Sequence, residues 1–142
     1  MPTEGEDLIA DILLTHHARL WRELPAIDKE LCQPGHPPAL RAAWRRFSRF
    51  MDGHAAKEEA VLFPNLMALF AGQDVHGRPI EGPIAVLGME HREIDALIDE
   101  LRPLCGADPL GAQIRALLDD TLVHAAKEDE LLFPAVRARL QG

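Results

Sequence analysis

A histidine followed four residues later by a glutamate occurs twice in this chain, each time within a nearly identical stretch. The first stretch begins at His54 and contains Glu58, and the second begins at His124 and contains Glu128. Both continue into Leu-Phe-Pro. Positions i and i+4 lie one above the other on one face of an α-helix. Each copy therefore directs an imidazole nitrogen and a carboxylate oxygen to the same place, and the duplication predicts a centre with two metal ions.

Four segments have helical periodicity without a strand pattern, and stretches rich in glycine and proline separate them. They run from about Glu6 to Leu31, Ala39 to Phe70, Ile84 to Leu101 and Leu110 to Leu140. Short connections favour antiparallel neighbours, so we predict an all-α, up-down-up-down four-helix bundle. We expect one domain over residues 1–142, built from two helix-pair repeats of about 6–70 and 84–140. Asp108 and Pro109 are predicted to start the last helix.

The heptad register of these segments makes the inward positions apolar except near the middle of each segment. The predicted inward positions are Ala10, Leu13, His17, Leu20, Leu24, Ile27 and Leu31; Leu40, Trp44, Phe47, Met51, His54, Glu58 and Val61; Ile84, Leu87, His91, Ile94, Ile98 and Leu101; and Leu110, Ile114, Leu117, Thr121, His124, Glu128 and Leu131. Ionisable groups in a small core are costly to leave unpaired. A bound metal would make their burial favourable, so the candidate ligands are His17, His54, Glu58, His91, His124 and Glu128.

The type of metal follows from the donor atoms. Four imidazole nitrogens and two carboxylates are too many for one tetrahedral zinc ion. They suit two ions bridged by carboxylates, with iron favoured, then manganese, over calcium or copper. The alternative is that the glutamates are solvent-exposed and the histidines are polar core residues of a purely structural bundle.

Several residues near the candidate ligands have weaker predictions. His16 lies off the inward face by about 100° of helix rotation, so we expect it at the surface or beside the ligands. Asp95, one turn after His91, is a candidate hydrogen-bond partner for that imidazole. Pro64 and Pro134 predict a kink or a helix end beside the site. The remaining expectations are solvent exposure for the loop residues His36 and His76, and core packing for Trp21, Trp44, Phe63 and Phe133.

Composition excludes some classes of partner. The net charge of −8 argues against binding to nucleic acid or anionic lipid. No apolar run approaches the roughly 18 residues of a membrane span, and the acidic N-terminus does not resemble a signal peptide. Cys32 and Cys105 have no metal-binding spacing, which indicates a reducing, cytoplasmic setting with buried or inert thiols. Their separation, close to the offset of the duplicated motif, leaves a redox-linked pair as the alternative.

At these motifs the chain resembles the hemerythrin-like (HHE cation-binding) domain family, and within it the di-iron domain of the bacterial iron–sulfur cluster repair proteins. The resemblance rests on His17 followed by Leu24-Pro25, on the two His-to-Pro stretches, and on Glu90-His91. It implies two iron ions in an oxo- or hydroxo-bridged centre, with the four histidines as terminal ligands and Glu58 and Glu128 as bridges. Oxygen-carrying hemerythrins have a second histidine where this chain has Asp95, so the resemblance to them is weaker.

Two classes of function are compatible with these observations. One is a non-enzymatic di-iron protein that binds or responds to oxygen or nitric oxide, or handles iron. The other is a di-iron enzyme of nitrosative or oxidative stress, which reduces nitric oxide or peroxide or donates iron for iron–sulfur cluster repair. The expected ligands are therefore small diatomic molecules or peroxide, with no nucleic-acid or membrane partner.

Overall fold

Four antiparallel helices form an up-down-up-down bundle, as the sequence predicts; the computed structural model describes residues 3–142. Helix α1 comprises Glu4–Asp11, Ile12–His17 and Ala18–Leu31; α2 comprises Pro38–Lys57, Glu58–Leu62 and Phe63–Phe70; α3 comprises Glu81–Leu101 and a 3-10 turn, Arg102–Leu104; and α4 comprises Pro109–Lys127, Glu128–Leu132 and Phe133–Gln141. In α1, α2 and α4 the middle segment is a π-helical turn. Within the described residues, no helix is both long and apolar enough to cross a membrane.

At the starts of α1 and α4, side chains satisfy free amides. The predicted start of α4 is confirmed, since the Asp108 carboxylate accepts a hydrogen bond from the Gly111 amide at 3.1 Å and Pro109 occupies the first turn. At the start of α1, the Thr3 hydroxyl accepts from the Glu6 amide, and the Glu6 carboxylate accepts from the Thr3 amide.

Each π-helical turn adds one residue to its helix. The Phe63 amide donates to the carbonyl of Glu58, five residues earlier, and the Phe133 amide donates in the same way to the carbonyl of Glu128. Pro64 and Pro134, which cannot donate, follow these turns, and each helix continues beyond its proline. Neither helix therefore ends at its proline, and the wider turn before the proline accommodates it.

Because of the extra residue, the observed register differs from the predicted one, since one residue rotates an α-helix by about 100°. Val61 and Leu131, predicted to point inward, are 42% and 51% exposed, and their neighbours Leu62 and Leu132 are buried instead. The same error affects the first turns of α1. There Ala10 is exposed and Leu13 half-buried, and the buried residues are Ile9 and Ile12.

A polar layer divides the apolar core in two. One apolar cluster contains the C-terminal half of α1, the first part of α2, and the facing parts of α3 and α4. The other contains the start of α1, the end of α2, the start of α3 and the end of α4. Along every helix the candidate ligands lie between these clusters, and all six are buried. The bundle therefore encloses a polar centre between two apolar layers.

Candidate metal centre

Two histidines and two glutamates meet on one side of the polar layer. Nε2 of His17 lies 3.0 Å from Oε1 of Glu58 and 3.3 Å from Nε2 of His124. Nε2 of His124 lies 3.4 Å from a carboxylate oxygen of Glu58 and 3.4 Å from one of Glu128. One ligand atom from each of the four lies within 4.8 Å of the others. This spacing allows one ion to contact all four side chains.

A second group shares Glu128 with the first. Nε2 of His91 lies 2.9 Å from Oε1 of Glu128, and Nε2 of His54 lies 3.8 Å from the same oxygen. These three side chains also place one ligand atom each within 4.8 Å of one another. Oε1 of Glu58 is 3.8 Å from Nε2 of His54, so this carboxylate also lies between the groups. The structure thus brings all six candidate residues together as two adjacent groups with two histidines each.

Outer carboxylates orient three of these imidazoles. In each case Nε2 faces the centre and Nδ1 contacts a carboxylate on another helix. The pairs are His17 with Glu59 at 2.7 Å, His54 with Glu90 at 2.9 Å, and His91 with Asp129 at 2.9 Å. A carboxylate that accepts the Nδ1 proton fixes the tautomer that presents the Nε2 lone pair to a metal.

These outer carboxylates were missed by the sequence analysis, and the expectation for Asp95 was wrong. Asp95 is exposed, and the partner of His91 is Asp129 on α4. A signal was present, because each repeated motif has a second acidic residue directly after the inward glutamate: Glu59 after Glu58 and Asp129 after Glu128. The first acid of each pair points into the centre, and the second reaches a histidine on a neighbouring helix.

His16 is buried beside the candidate ligands, which is the second of the two predicted placements, and it does not lie at the surface. Its side chain is 2% exposed, and its ring is stacked on that of His124. Nδ1 of His16 contacts Oδ2 of Asp120 at 3.0 Å, whereas Nε2 is buried without a hydrogen-bond partner among residues 3–142. The π-helical turn that ends at His17 explains this placement, because it brings two consecutive histidines to the interior.

Aromatic residues cover the centre. Phe63 stacks on His17 with ring centroids 5.6 Å apart, and Phe133 stacks on His91 at 6.3 Å. Both are buried, as predicted. Trp21 was predicted to pack in the core but is 37% exposed, and its Nε1 donates to the same Glu59 carboxylate that holds His17.

The two inward carboxylates give the centre a strong preference for positive charge. Burial and the nearby charge of Glu128 raise the pKa of Glu58. Burial alone would lower the pKa of His124. Hydrogen bonds to Glu128 and Glu58 have the larger effect and raise the pKa of His124 to about 10. His91 behaves alike: burial lowers its pKa, and Glu128 and Asp129 raise it by more. Without a cation, therefore, the cluster balances its carboxylates with protons.

The residues present fit a pair of cations. Glu58 and Glu128 each have one buried oxygen, Oε2, without a hydrogen-bond partner among the described residues. A buried carboxylate oxygen without a partner costs free energy, which a coordinated ion would remove. The surrounding Nε2 atoms are neutral ligands when Nδ1 carries the proton.

Other histidines and the cysteines lie apart from this cluster. His76 is exposed, as expected, whereas His36 is half-buried rather than exposed and contacts Glu30, with Nε2 and Oε1 3.5 Å apart. Both cysteines are free thiols; neither is fully buried, since Cys32 is exposed and Cys105 is half-buried.

Comparisons with known proteins agree with this geometry. A family model described as the hemerythrin HHE cation binding domain matches residues 8–136. The iron-sulfur cluster repair protein YtfE of Edwardsiella ictaluri is 29% identical over 91% of this chain and 64% of its own length. The protein of the same name from Salmonella schwarzengrund is 26% identical over 93% of this chain and 66% of its own length. The chain thus spans slightly less than two thirds of these relatives. No solved structure matches it.

Proposed function

The chain belongs to the hemerythrin HHE cation-binding family, and we propose that its buried histidine and glutamate cluster binds two iron ions. The carrying observation is that four imidazole Nε2 atoms surround two buried carboxylates, each with an oxygen that lacks a partner among residues 3–142. Membership of the family implies iron, and mixed imidazole and carboxylate donors favour it.

The proposed ligands divide into two sets. His17 and His124 would hold one ion and His54 and His91 the other, with Glu58 and Glu128 between them. The support is that Glu128 lies in both groups and that Oε1 of Glu58 lies near His54 as well as His17. Two histidines and two shared carboxylates leave each ion short of the six ligands that iron accepts. We therefore propose an open position on both ions.

When bound, the iron pair would supply redox chemistry and Lewis acidity. We expect the residues around the proposed iron pair to determine which molecules can reach it. An apolar pocket of about 380 Å³ is lined partly by Leu13, Met67 and Phe63, and Phe63 stacks on His17. Its wall includes Glu59, which holds Nδ1 of His17. Such surroundings favour small, weakly polar molecules.

We propose accordingly that the protein binds or responds to oxygen or nitric oxide. A second candidate is a role in iron–sulfur cluster repair with iron donation or peroxide or nitric oxide reduction, since the curated relatives are named iron-sulfur cluster repair proteins. Turnover separates the candidates. Reduced protein mixed anaerobically with excess nitric oxide should take up about two molecules per chain and stop if it is a binding protein, and should consume the gas continuously if it is an enzyme.

Metal analysis with an optical spectrum of the purified protein tests the metal assignment. We expect about two irons per chain, with near-ultraviolet absorption in an aerobic sample from the ferric pair. One zinc per chain and no iron, from cells grown with ample iron, would overturn the proposal. A limit of one nitric oxide per chain in protein that carries both irons would contradict the open position on each ion.

A further inference from the structure

Three arginines line one side of a pocket that contains no residue of the metal centre. Arg41, Arg45 and Arg49 follow one another at four-residue intervals on α2, so they lie on one face of that helix. They border a pocket of about 180 Å³ between the C-terminal end of α1 and α2. The other lining residues are Asp28, Leu31, Cys32, Trp44 and Ser48. None of these is a candidate metal ligand.

The three guanidinium groups have no acidic partner. Within residues 3–142, none of them lies within 4.0 Å of a carboxylate, although Arg46 on the same helix pairs with Glu100. Nη2 of Arg41 donates to the carbonyl of His36 at 3.2 Å, but its Nε is buried without a partner among the described residues. A buried donor left unpaired costs free energy that a bound acceptor would recover.

The acidic residue in the pocket, Asp28, offsets only part of this positive charge. Asp28 accepts hydrogen bonds from Nε1 of Trp44 and, at 3.5 Å, from Oγ of Ser48. Its carboxylate is thus engaged with two neutral donors. Like charges at four-residue intervals on a helix repel one another. Three arginines and one aspartate give the pocket lining a net positive charge, although the whole chain has a net charge of −8.

We propose that this pocket binds a tetrahedral oxyanion, namely inorganic phosphate or sulfate or the phosphoryl group of a small molecule. The planar guanidinium fork matches oxyanion geometry, and several forks on one face can share one anion. The volume is below the roughly 300 Å³ at which pockets for drug-sized ligands begin, so it suits a compact anion. The site is independent of the proposed iron pair.

Calorimetric titration of the iron-loaded protein with sulfate tests the proposal, in buffers held at constant ionic strength with chloride. Sulfate is the first probe because phosphate also binds iron. The test variant is Arg45→Gln combined with Arg49→Gln, and the matched control is Arg46→Gln, which removes a paired charge from the same helix. Wild type and control should bind equally, and the double variant at least about tenfold more weakly, the typical effect of losing a charge-assisted hydrogen bond. Iron content and melting temperature show that each variant is folded.

The exposed thiol of Cys32, which lines the pocket, gives a second readout. Bound sulfate should slow alkylation of Cys32 by iodoacetamide, with Cys105 as the internal reference, and the double variant should lose this protection. The comparison of phosphates uses only the binding that the double variant loses, which excludes binding to iron. Tighter binding of glycerol phosphate than of inorganic phosphate would then assign the anion to a larger molecule, and equal or weaker binding would assign it to the free ion. The absence of saturable sulfate binding, or an equal loss in Arg46→Gln and the double variant, would overturn the proposal without affecting the iron assignment.

Discussion

The imidazole ring of His16 lies parallel to that of His124, with the centroids 5.4 Å apart and the planes inclined by 8°. The contact joins α1 to α4 beside the polar layer. Nδ1 of His16 contacts Oδ2 of Asp120, which lies one helical turn before His124 on α4. His16 therefore packs against the candidate ligand His124, and it does so from the helix that also supplies His17.

Replacement of His16 by alanine should weaken the centre without abolishing it. The change removes the ring that packs on His124, and a buried truncation of this kind costs about 1–3 kcal/mol. We expect a lower melting temperature and faster loss of iron to a chelator than in wild type. The control is His76→Ala, since His76 is exposed. If His16→Ala matches the control in both measurements, the stacked ring has no supporting role.

Loss of either inward glutamate should affect iron more than loss of His16. Glu58→Ala and Glu128→Ala each remove a carboxylate that lies between the two histidine groups. We expect Glu128→Ala to lose the most iron, because its carboxylate belongs to both groups. Iron per chain after gel filtration measures the effect, with the exposed Glu130→Ala as control. A Glu128→Ala protein with both irons would contradict the ligand assignment.

Asp129 and Asp95 are both exposed, but only Asp129 contacts His91, so the two allow a direct comparison of that contact. Asp129→Asn weakens the acceptor for Nδ1 of His91, and loss of such a partner typically lowers metal affinity by about tenfold to a hundredfold. Asp95→Asn makes the same chemical change at an exposed position on the helix of His91. Competition with a chelator of known affinity should therefore distinguish the two variants. Equal affinities would show that Asp129 does not orient His91.

The bundle and its inward-facing glutamates follow from the sequence because helical periodicity and a duplicated spacing are local properties. His54 and Glu58 share a face in any α-helix, whatever surrounds them. The π-helical turns do not follow from a heptad, since one inserted residue breaks its period. Val61 was therefore predicted to point inward, and His16 to lie off the inward face, at the surface or beside the ligands. The signal lay in the proline after each Leu-Phe, which prevents an ordinary helical hydrogen bond there.

Contacts between helices were harder to predict than positions along one helix. Whether Asp95 or Asp129 reaches His91 depends on how α3 and α4 pack, and the one-turn spacing on α3 favoured the wrong residue. The lining of the proposed anion pocket also depends on how helices pack. The spacing of its arginines along α2 is visible in the sequence, but Asp28 on α1 and Cys32, directly after α1, join them only in the folded bundle.

Removal of metal should destabilise the fold substantially. Without it, the carboxylates of Glu58 and Glu128 remain together in the core, and the cluster must hold protons or admit water. A metal that binds only the native state adds about 4 kcal/mol at a thousandfold excess over its dissociation constant. For a chain of this size that corresponds to a fall in melting temperature of about 10 °C on chelation.

Thermal unfolding followed by circular dichroism measures this fall in loaded, chelated and reloaded samples of the same preparation. Reloading should restore the original transition, which excludes damage by the chelator. Glu128→Ala is the matched control, because a chain that retains little iron has little stability to lose. Its melting temperature should respond only weakly to the chelator and lie near or below that of the chelated wild type. A wild-type protein that melts at the same temperature with and without metal would show that the buried carboxylates and imidazoles balance one another through protons alone.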